Sequence, residues 1–196
     1  MTLVAIDTET GGFDASKCAM LSIALVELDK NINPIRELEI FIEPYPGKII
    51  EDQAMKVNGF TYKKWAERGA TTLIQAMERI RMWMPNNPEP LAHNAGFDKS
   101  FIDQSEKLTG ISLYMGYAWE CSMALFHAVS RAYGLNYLRM NLDSAAKATG
   151  HWKDDYVRGD HSALDDAKAC AAIYKWCINR MKDGILGQRD LPIELL

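Results

Sequence analysis

The chain has 196 residues, of which 48% are hydrophobic and 24% are charged, and this composition is that of an ordinary soluble globular domain. Its formal net charge of −4 and pI near 5.6 argue against a protein that coats nucleic acid through a broad basic face. The first residues lack the pattern of a secretory signal, and no apolar run is long enough to span a membrane, so we expect a cytoplasmic protein without a membrane partner. The four cysteines never form a C-x-x-C pair, which favours reduced thiols over disulfides or a zinc site.

Three β-strands are predicted first along the chain. The short apolar run LVAID at 3–7 is typical of a strand buried on both faces, and the segments 20–28 and 37–44 are rich in β-forming residues. One further short strand is predicted at PLAHN, 90–94, among helical patterns at 51–58, 72–84, 97–107, 122–133, 142–149 and 163–182. Strands that come first and then interleave with helices predict an α/β layer architecture with a mixed sheet. We expect one domain, with a core at about 1–183 and a C-terminal tail at 184–196.

Two carboxylates follow the apolar run of the first strand. Asp7 and Glu9 project to the same side of a strand because side chains alternate between its two faces, and Gly11 and Gly12 then end it. Two carboxylates this close repel, and each raises the pKa of the other unless a cation lies between them. Asp7 and Glu9 are therefore candidate ligands of a divalent metal ion. The alternative is that both are solvated charges at a strand end.

A second polar segment follows the strand predicted at 90–94. Asp98 comes in the first turn of the helix expected at 97–107, and a metal ion held there would lie near the amides of the helix N-terminus. The alternative is that Asp98 only complements the helix dipole, which contributes about 0.3 to 1 kcal/mol. Phe97 and Phe101, which are four residues apart, are expected to pack beneath the helix.

A third segment, HSALDDAKACAAIY at 161–174, places a histidine at or just before the start of a helix. Asp166 lies about one turn into this helix, beside alanines spaced by four residues that allow close packing against a neighbour. His161 is a candidate general base, and the alternative is that it only caps the helix. Asp165 competes with Asp166 for a metal role, because the two side chains point in different directions.

The three segments together resemble the DEDDh-type 3′–5′ exonucleases of the proofreading-subunit-like superfamily, which have a ribonuclease H-like fold. The matching motifs are D-x-E, N-x-x-F-D and H-x-x-x-x-D-A, and their functional positions are Asp7, Glu9, Asp98, His161 and Asp166. The resemblance covers nearly the whole chain and implies a three-layer α/β fold with a central mixed sheet flanked by helices. It also implies hydrolysis of nucleic acid from 3′ ends with two Mg²⁺ or Mn²⁺ ions.

The resemblance gives each of these five residues a role. Asp7 bridges the two metal ions, and Glu9 and Asp166 complete the site that holds the attacking water. Asp98 supports the second ion, largely through waters. His161 accepts the proton of the attacking water, for which its unperturbed pKa of about 6.5 is suitable. The predicted metal ligands thus all offer carboxylate oxygens, which Mg²⁺ prefers.

Six further residues are assigned to the substrate. The resemblance points to the segment after the first motif, and aromatic residues near 60 are candidates for stacking on bases, which contributes about 1 to 3 kcal/mol per base. The assigned residues are Thr8, Thr10, Gly11, Asn94, Phe60 and Tyr62. The alternative for each aromatic residue is a place in the core.

Three functions are compatible with these segments. The first, which we prefer, is a 3′–5′ exonuclease that acts on single-stranded or frayed DNA and releases nucleoside 5′-monophosphates. The second is an exoribonuclease that trims RNA. The third is a non-catalytic module that binds a polymerase or sliding clamp, with the tail QRDLPIELL at 188–196 as a docking segment. The full set of acidic residues favours catalysis over the third function.

Overall fold

The structure, a computed structural model, describes residues 2–116, 118–134, 140–153, 155–156 and 162–187. Its strands are β1 Thr2–Thr10, β2 Met20–Leu28, β3 Pro34–Phe41, β4 Pro88–Ala92 and β5 Glu120–Cys121. They form one sheet in the order β3-β2-β1-β4-β5, so that β1 is central. β1 pairs antiparallel with β2 and parallel with β4, while β2 and β3 are antiparallel and β4 and β5 are parallel. The predicted mixed sheet is confirmed.

Helices cover both faces of this sheet. They are α1 Asp52–Asn58, α2 Tyr62–Glu67, α3 Leu73–Trp83, α4 Ala95–Thr109, α5 Ser122–Ala132, α6 Leu142–Ala148 and α7 Ala163–Gly187. Successive strand side chains point to opposite faces, so Ala5 packs against the layer of α5, α6 and α7, whereas Val4 and Ile6 pack against α3 and α4. The predicted three-layer α/β fold is thereby confirmed. None of the helices in the described ranges is long and apolar enough to cross a membrane.

A stripe of alanines on α7 brings this helix close to the centre of the sheet. Ala163, Ala167 and Ala171 recur every four residues on one face of the helix, and all three are buried. Their side chains are small, so the backbone of α7 approaches β1 and β2 more closely than larger residues would permit. The first turn of α7 is consequently fixed against the central strand.

The main differences from the sequence-based elements concern short or terminal segments. β3 ends at Phe41 rather than at 44, because Ile42 leaves the strand and forms an isolated bridge with Thr71. The six-residue helix α2 and the two-residue strand β5 were not predicted. The boundary expected at 184 falls inside α7, which continues to Gly187, and the proposed docking tail 188–196 lies outside the described residues.

The topology brings two chain segments to one edge of the sheet. β1 and β4 are parallel neighbours, so their carboxyl ends lie at the same edge, which is where ligands bind in open α/β sheets. Two residues separate α4 from β4, and Asn94, the N-cap residue just before the helix, adopts a left-handed conformation with φ of 68° that turns the chain into the helix. The acidic residues predicted at the end of the first strand and at the start of α4 therefore meet at this edge.

Candidate active site

Three acidic side chains converge at the carboxyl end of β1. Asp7 and Glu9 lie on the face of β1 that α7 covers, as their spacing of two residues requires. Asp166 comes from the first turn of α7, next to Ala167 of the alanine stripe. One carboxylate oxygen from each of Asp7, Glu9 and Asp166 lies within 4.8 Å of the other two. Glu9 and Asp166 are buried, so the cluster lies at the base of a cleft rather than on an open surface.

The structure distinguishes the two adjacent aspartates of α7. Asp166 belongs to the buried face of the helix and to the carboxylate cluster. Asp165 is exposed, because consecutive helical residues are rotated by about 100° relative to each other. Asp166, and not Asp165, is thus the residue placed to bind a metal ion.

Asp98 approaches the same edge from the other layer of helices. It is 2% exposed, and its Oδ1 accepts two hydrogen bonds from Thr8, one from the backbone N–H at 3.0 Å and one from the hydroxyl at 2.8 Å. Burial raises the pKa of Asp98 to about 7, while the two bonds from Thr8 act in the opposite direction by favouring the ionised form. A cation near Asp98 would likewise favour its carboxylate form.

This arrangement of carboxylate oxygens fits a divalent cation. The three clustered carboxylates offer oxygen ligands, which suit Mg²⁺ or Mn²⁺, and their mutual repulsion is relieved when a cation lies among them. Within the described ranges, no other group of three acidic, histidine or cysteine ligands comes this close together. Asp98 lies outside the 4.8 Å group, and its role at the metal centre stays a prediction.

A cavity of about 340 Å³ opens onto the carboxylate cluster. Its floor contains Asp7, Glu9 and Asp166, and the other residues that line it are Thr8, Thr10, Gly12, Phe13, Glu51, Gln53, Ala54, Val57, Asn58 and Phe97. Phe13 is 83% exposed and meets Phe97 edge to face, with ring centroids 6.3 Å apart. A cavity lined by both aromatic and carboxylate side chains suits a ligand with a flat apolar part and a part that binds through metal ions.

The chain after β1 is held in place by α1. The side-chain amide of Asn58 donates to the carbonyl oxygen of Thr10 at 3.0 Å, and its Oδ1 accepts from the N–H of Phe60 at 3.0 Å. Gly11 permits the close approach of the segment before α1, since a Cβ at this position would lie 2.6 Å from the carbonyl oxygen of Ile49. These contacts fix the wall of the cavity against the strand that carries Asp7.

The predicted substrate residues are only partly brought to the cavity. Thr8 and Thr10 line it, although the Thr8 hydroxyl donates to Asp98 and the Thr10 hydroxyl donates to the carbonyl oxygen of Gly12 at 2.8 Å. Gly11 and Asn94 shape the adjoining backbone and do not line the cavity.

The aromatic residues proposed for stacking need correction. Phe60 is 3% exposed and packs with Leu21 and Trp65 in the core, so its ring is not available to a base. Tyr62 is exposed but does not line the cavity. Phe97 packs against Phe101 as expected, with ring centroids 5.1 Å apart, and it also forms part of the cavity wall together with Phe13.

The wall supplied by α1 was not recognised from the sequence. Gln53, Ala54 and Val57 line the cavity from one face of this helix, and the spacing of three and four residues between them is the signal that predicts a shared face. His161, the predicted general base, lies outside the described residues.

Comparisons with known proteins place this site in a family. A family model for exonucleases, RNase_T, matches residues 4–174. Ribonuclease T of Haemophilus influenzae strain PittGG is 30% identical over 192 residues, covering 92% of this chain and 80% of that protein. Ribonuclease T of Vibrio campbellii is 30% identical over 194 residues, covering 91% of this chain and 86% of that protein.

Solved structures share the fold. Exonuclease I from Methylocaldum szegediense has a TM-score of 0.76 at 20% sequence identity, covering 96% of this chain and 43% of that protein, so the present chain spans less than half of its length. The nuclease domain of 3′hExo, a DEDDh family member bound to rAMP, has a TM-score of 0.69 at 17% identity, with 93% and 92% of the two chains covered.

The family match, together with the fold and the acidic cluster, defines a DEDDh-type nuclease with a ribonuclease H-like fold, a class that uses divalent metal ions. The chain belongs to the RNase_T exonuclease family. It is a 3′–5′ exonuclease, and the predicted class of enzyme is confirmed.

We expect a divalent ion to stabilise the folded protein through Asp166. Mn²⁺ at about 100 times its dissociation constant should raise the free energy of unfolding by about 2.7 kcal/mol, because the unfolded chain lacks the carboxylate cluster. The variant Asp166→Asn should lose most of this increase. In chelator it should be at least as stable as the wild type, since one of three repelling charges is gone.

The matched control is Asp165→Asn, which makes the same change at the exposed neighbouring position. It should keep the wild-type response to Mn²⁺. Thermal unfolding of the three proteins in EDTA and in Mn²⁺ measures these differences. An equal Mn²⁺ response in Asp166→Asn and the wild type would contradict the assignment of the site.

Proposed function

We propose that the protein removes nucleotides one at a time from the 3′ end of single-stranded nucleic acid, with two Mg²⁺ or Mn²⁺ ions, and releases nucleoside 5′-monophosphates. The proposal rests on one observation: the carboxylates of Asp7, Glu9 and Asp166 form the floor of the cavity whose wall carries Phe13 and Phe97. A volume of about 340 Å³ suits a ligand of the size of one nucleotide.

Four carboxylates would hold the metal ions. Asp7, Glu9 and Asp166 are close enough to share one ion, and Asp98 would support a second through waters. Bound ions of this kind activate a water and stabilise negative charge on the phosphoryl group and on the leaving 3′ oxygen. The two hydrogen bonds from Thr8 keep the Asp98 carboxylate in a fixed orientation, and burial of Glu9 and Asp166 limits competing water.

The terminal base would lie on the aromatic wall. The Phe13 ring is exposed at the cavity and meets the Phe97 ring by an edge contact. Val57 and Ala54 on α1 supply the facing apolar surface. Stacking of this kind tolerates any base, as digestion of arbitrary sequences requires.

His161 would accept the proton of the attacking water. Its position five residues before Asp166 matches the DEDDh pattern, and the described helix begins at Ala163, so the segment with His161 leads directly into the turn that carries Asp166. Histidine, whose unperturbed pKa is about 6.5, is the side chain best suited to take up a proton near neutral pH.

The relatives bear on the choice between RNA and DNA. The proteins at 30% identity are named ribonuclease T, whereas the Escherichia coli exonuclease I structures, at 18% identity, hold a 5cy-dA13 or a dT13 oligonucleotide. The higher identity favours RNA 3′ ends as the substrate, and it revises the preference for DNA drawn from the sequence. Single-stranded DNA remains the second candidate.

Degradation of end-labelled oligonucleotides tests the proposed reaction. With 5′-labelled single-stranded RNA and DNA of one sequence, we expect Mn²⁺-dependent ladders that shorten from the 3′ end, with RNA shortened at least as fast as DNA. Nucleoside 5′-monophosphates should be the products. A 3′-phosphate should stop digestion because it occupies the place of the terminal hydroxyl, and a 5′-phosphate should not. Unimpeded cleavage of the 3′-blocked strand would instead indicate an endonuclease.

Replacement of His161 separates proton transfer from metal binding. His161→Ala should lower kcat by about 10²- to 10⁴-fold, the range for a positioned general base, and should keep the Mn²⁺-dependent gain in thermal stability. His127→Ala, at an exposed position of α5, is the control and should leave both unchanged. If His161 only capped the helix, its loss would cost about 1 kcal/mol of stability and leave kcat nearly unchanged.

Replacement of Phe13 tests the aromatic wall. Phe13→Ala should raise KM by about 5- to 150-fold, corresponding to the loss of about 1 to 3 kcal/mol of stacking, with a smaller effect on kcat. Phe13→Trp should retain stacking and stay near the wild type. Tyr114→Ala is the control, since this exposed ring lines a separate cavity beside Met84 and Pro88. Steady-state kinetics on a single-stranded oligonucleotide measures the effect, and an unchanged KM in Phe13→Ala would remove Phe13 from the substrate site.

A further inference from the structure

A chain of hydrogen bonds runs beside the carboxylate cluster through residues that do not line the cavity. It starts at His93, whose Nε2 lies 2.8 Å from the carbonyl oxygen of Met140 and whose Nδ1 lies 2.8 Å from the hydroxyl oxygen of Ser122. The same hydroxyl oxygen lies 3.2 Å from the sulfur of Cys170. Ser122 and Cys170 are buried, and His93 is half-buried.

The direction of every bond in this chain follows from the donors and acceptors present. The carbonyl of Met140 can only accept, so Nε2 of His93 carries the ring hydrogen and Nδ1 is the acceptor. Ser122 gives its single hydroxyl hydrogen to Nδ1, and its oxygen therefore accepts from the thiol of Cys170. Burial lowers the pKa of His93, which keeps the ring neutral as this pattern requires. Burial, with a smaller contribution from the charges of Asp7 and Asp98, raises the pKa of Cys170 and keeps its thiol protonated.

The chain connects the elements that carry two of the predicted metal ligands. His93 directly follows β4 and stands five residues before Asp98 of α4. Cys170 lies one helical turn beyond Asp166 on the same face of α7. α4 and α7 cover opposite faces of the sheet, so these two carboxylates come from different layers.

Ser122 forms the link between the two layers. β4 and β5 pair in parallel with Ala92 opposite Cys121, which places His93 and Ser122 side by side one residue further along. Ser122 is the first residue of α5 and also contacts α7 through Cys170. Its hydroxyl thus contacts both His93, which lies between β4 and α4, and the helix that carries Asp166.

We propose that the His93–Ser122–Cys170 hydrogen-bond chain sets the distance and orientation between Asp98 and Asp166, so that His93 and Ser122 are positioning residues of the metal centre. The inference rests on the proposed metal-dependent reaction. Neither residue is among those that line the cavity. Their effect passes through the start of α4 and through α7. Partners that orient metal ligands from behind typically change metal affinity or activity by about 10- to 100-fold when they are removed.

The variant Ser122→Ala tests this proposal, with Ser130→Ala as its matched control. Both changes remove one hydroxyl from a fully buried position of α5. The Ser130 hydroxyl has no hydrogen-bond partner among the described residues, whereas the Ser122 hydroxyl has two. His93→Gln is a second variant, since its side-chain amide can still donate towards Met140 but offers no ring nitrogen to Ser122.

Two measurements separate positioning from stability alone. The first is kcat and KM on a single-stranded oligonucleotide at saturating Mn²⁺, and the second is the Mn²⁺ concentration that gives half of the thermal stabilisation without substrate. Ser122→Ala and His93→Gln should lower kcat by about 10- to 100-fold and raise the Mn²⁺ midpoint. KM should stay within about threefold, because the aromatic wall is unchanged. Ser130→Ala should match the wild type in kcat, in KM and in the Mn²⁺ midpoint.

A purely structural role of the hydrogen-bond chain would give a different result. If Ser122→Ala and His93→Gln fold, melt earlier, and keep kcat and the Mn²⁺ midpoint within about twofold of Ser130→Ala, the chain is only structural and the proposal is wrong. If one of these two variants does not fold, the kcat and the Mn²⁺ midpoint of the other variant decide the test. A wild-type protein without Mn²⁺-dependent hydrolysis would reject the proposed function itself, and the positioning role would fall with it.

Discussion

Repulsion between carboxylates at the end of β1 is the constraint on which the rest of the structure depends. Asp7, Glu9 and Asp166 lie within 4.8 Å of one another in a cleft where water screens them poorly. Without a cation, such a cluster tends to move apart, so it has to be held by elements that do not yield. The fold holds the cluster between the central strand β1 and the long helix α7. The alanine stripe of α7 allows the helix to pack closely on the strand. A cluster of this kind on a surface loop would relax and lose the geometry that binds an ion.

Much of the fold was predictable because hydrophobic periodicity identifies the type and position of long helices and strands. β2 begins and ends where the sequence predicted, and the stripe of α7 was visible in its alanines. β3 was placed three residues late because its alternating pattern continues past Phe41, whereas the chain turns away at Ile42 to meet Thr71. α2 escaped recognition because six residues are too few for a periodic signal, and it is fixed instead by the Thr61 hydroxyl, which accepts a bond from the N–H of Lys64.

Site residues were predictable where their placement follows from spacing along the chain. They were not predictable where it depends on which way a side chain points in the folded protein. Asp7 and Glu9 share a face by the geometry of a strand, and motif resemblance was enough to select Asp166 from its neighbour. Phe60 and Phe13, in contrast, are the same residue type in similar polar surroundings. Phe60 turns into the core because Leu21 of β2, distant in sequence, packs with it and with the nearby Trp65, whereas Phe13 has only an edge contact with Phe97 and stays exposed at the rim. Long-range packing of this kind leaves no local pattern in the sequence.

The carboxylate cluster joins a residue near the start of the chain to one near the end of the described segment. Asp7 is synthesised before Asp166, and most of the strands and helices of the domain lie between them in the chain. Closing so long a loop comes late in folding, because its entropy cost is recovered only when α7 docks on the sheet. A chain in which α7 has not yet docked therefore presents only Asp7 and Glu9 of the cluster, so the metal site is completed together with the fold.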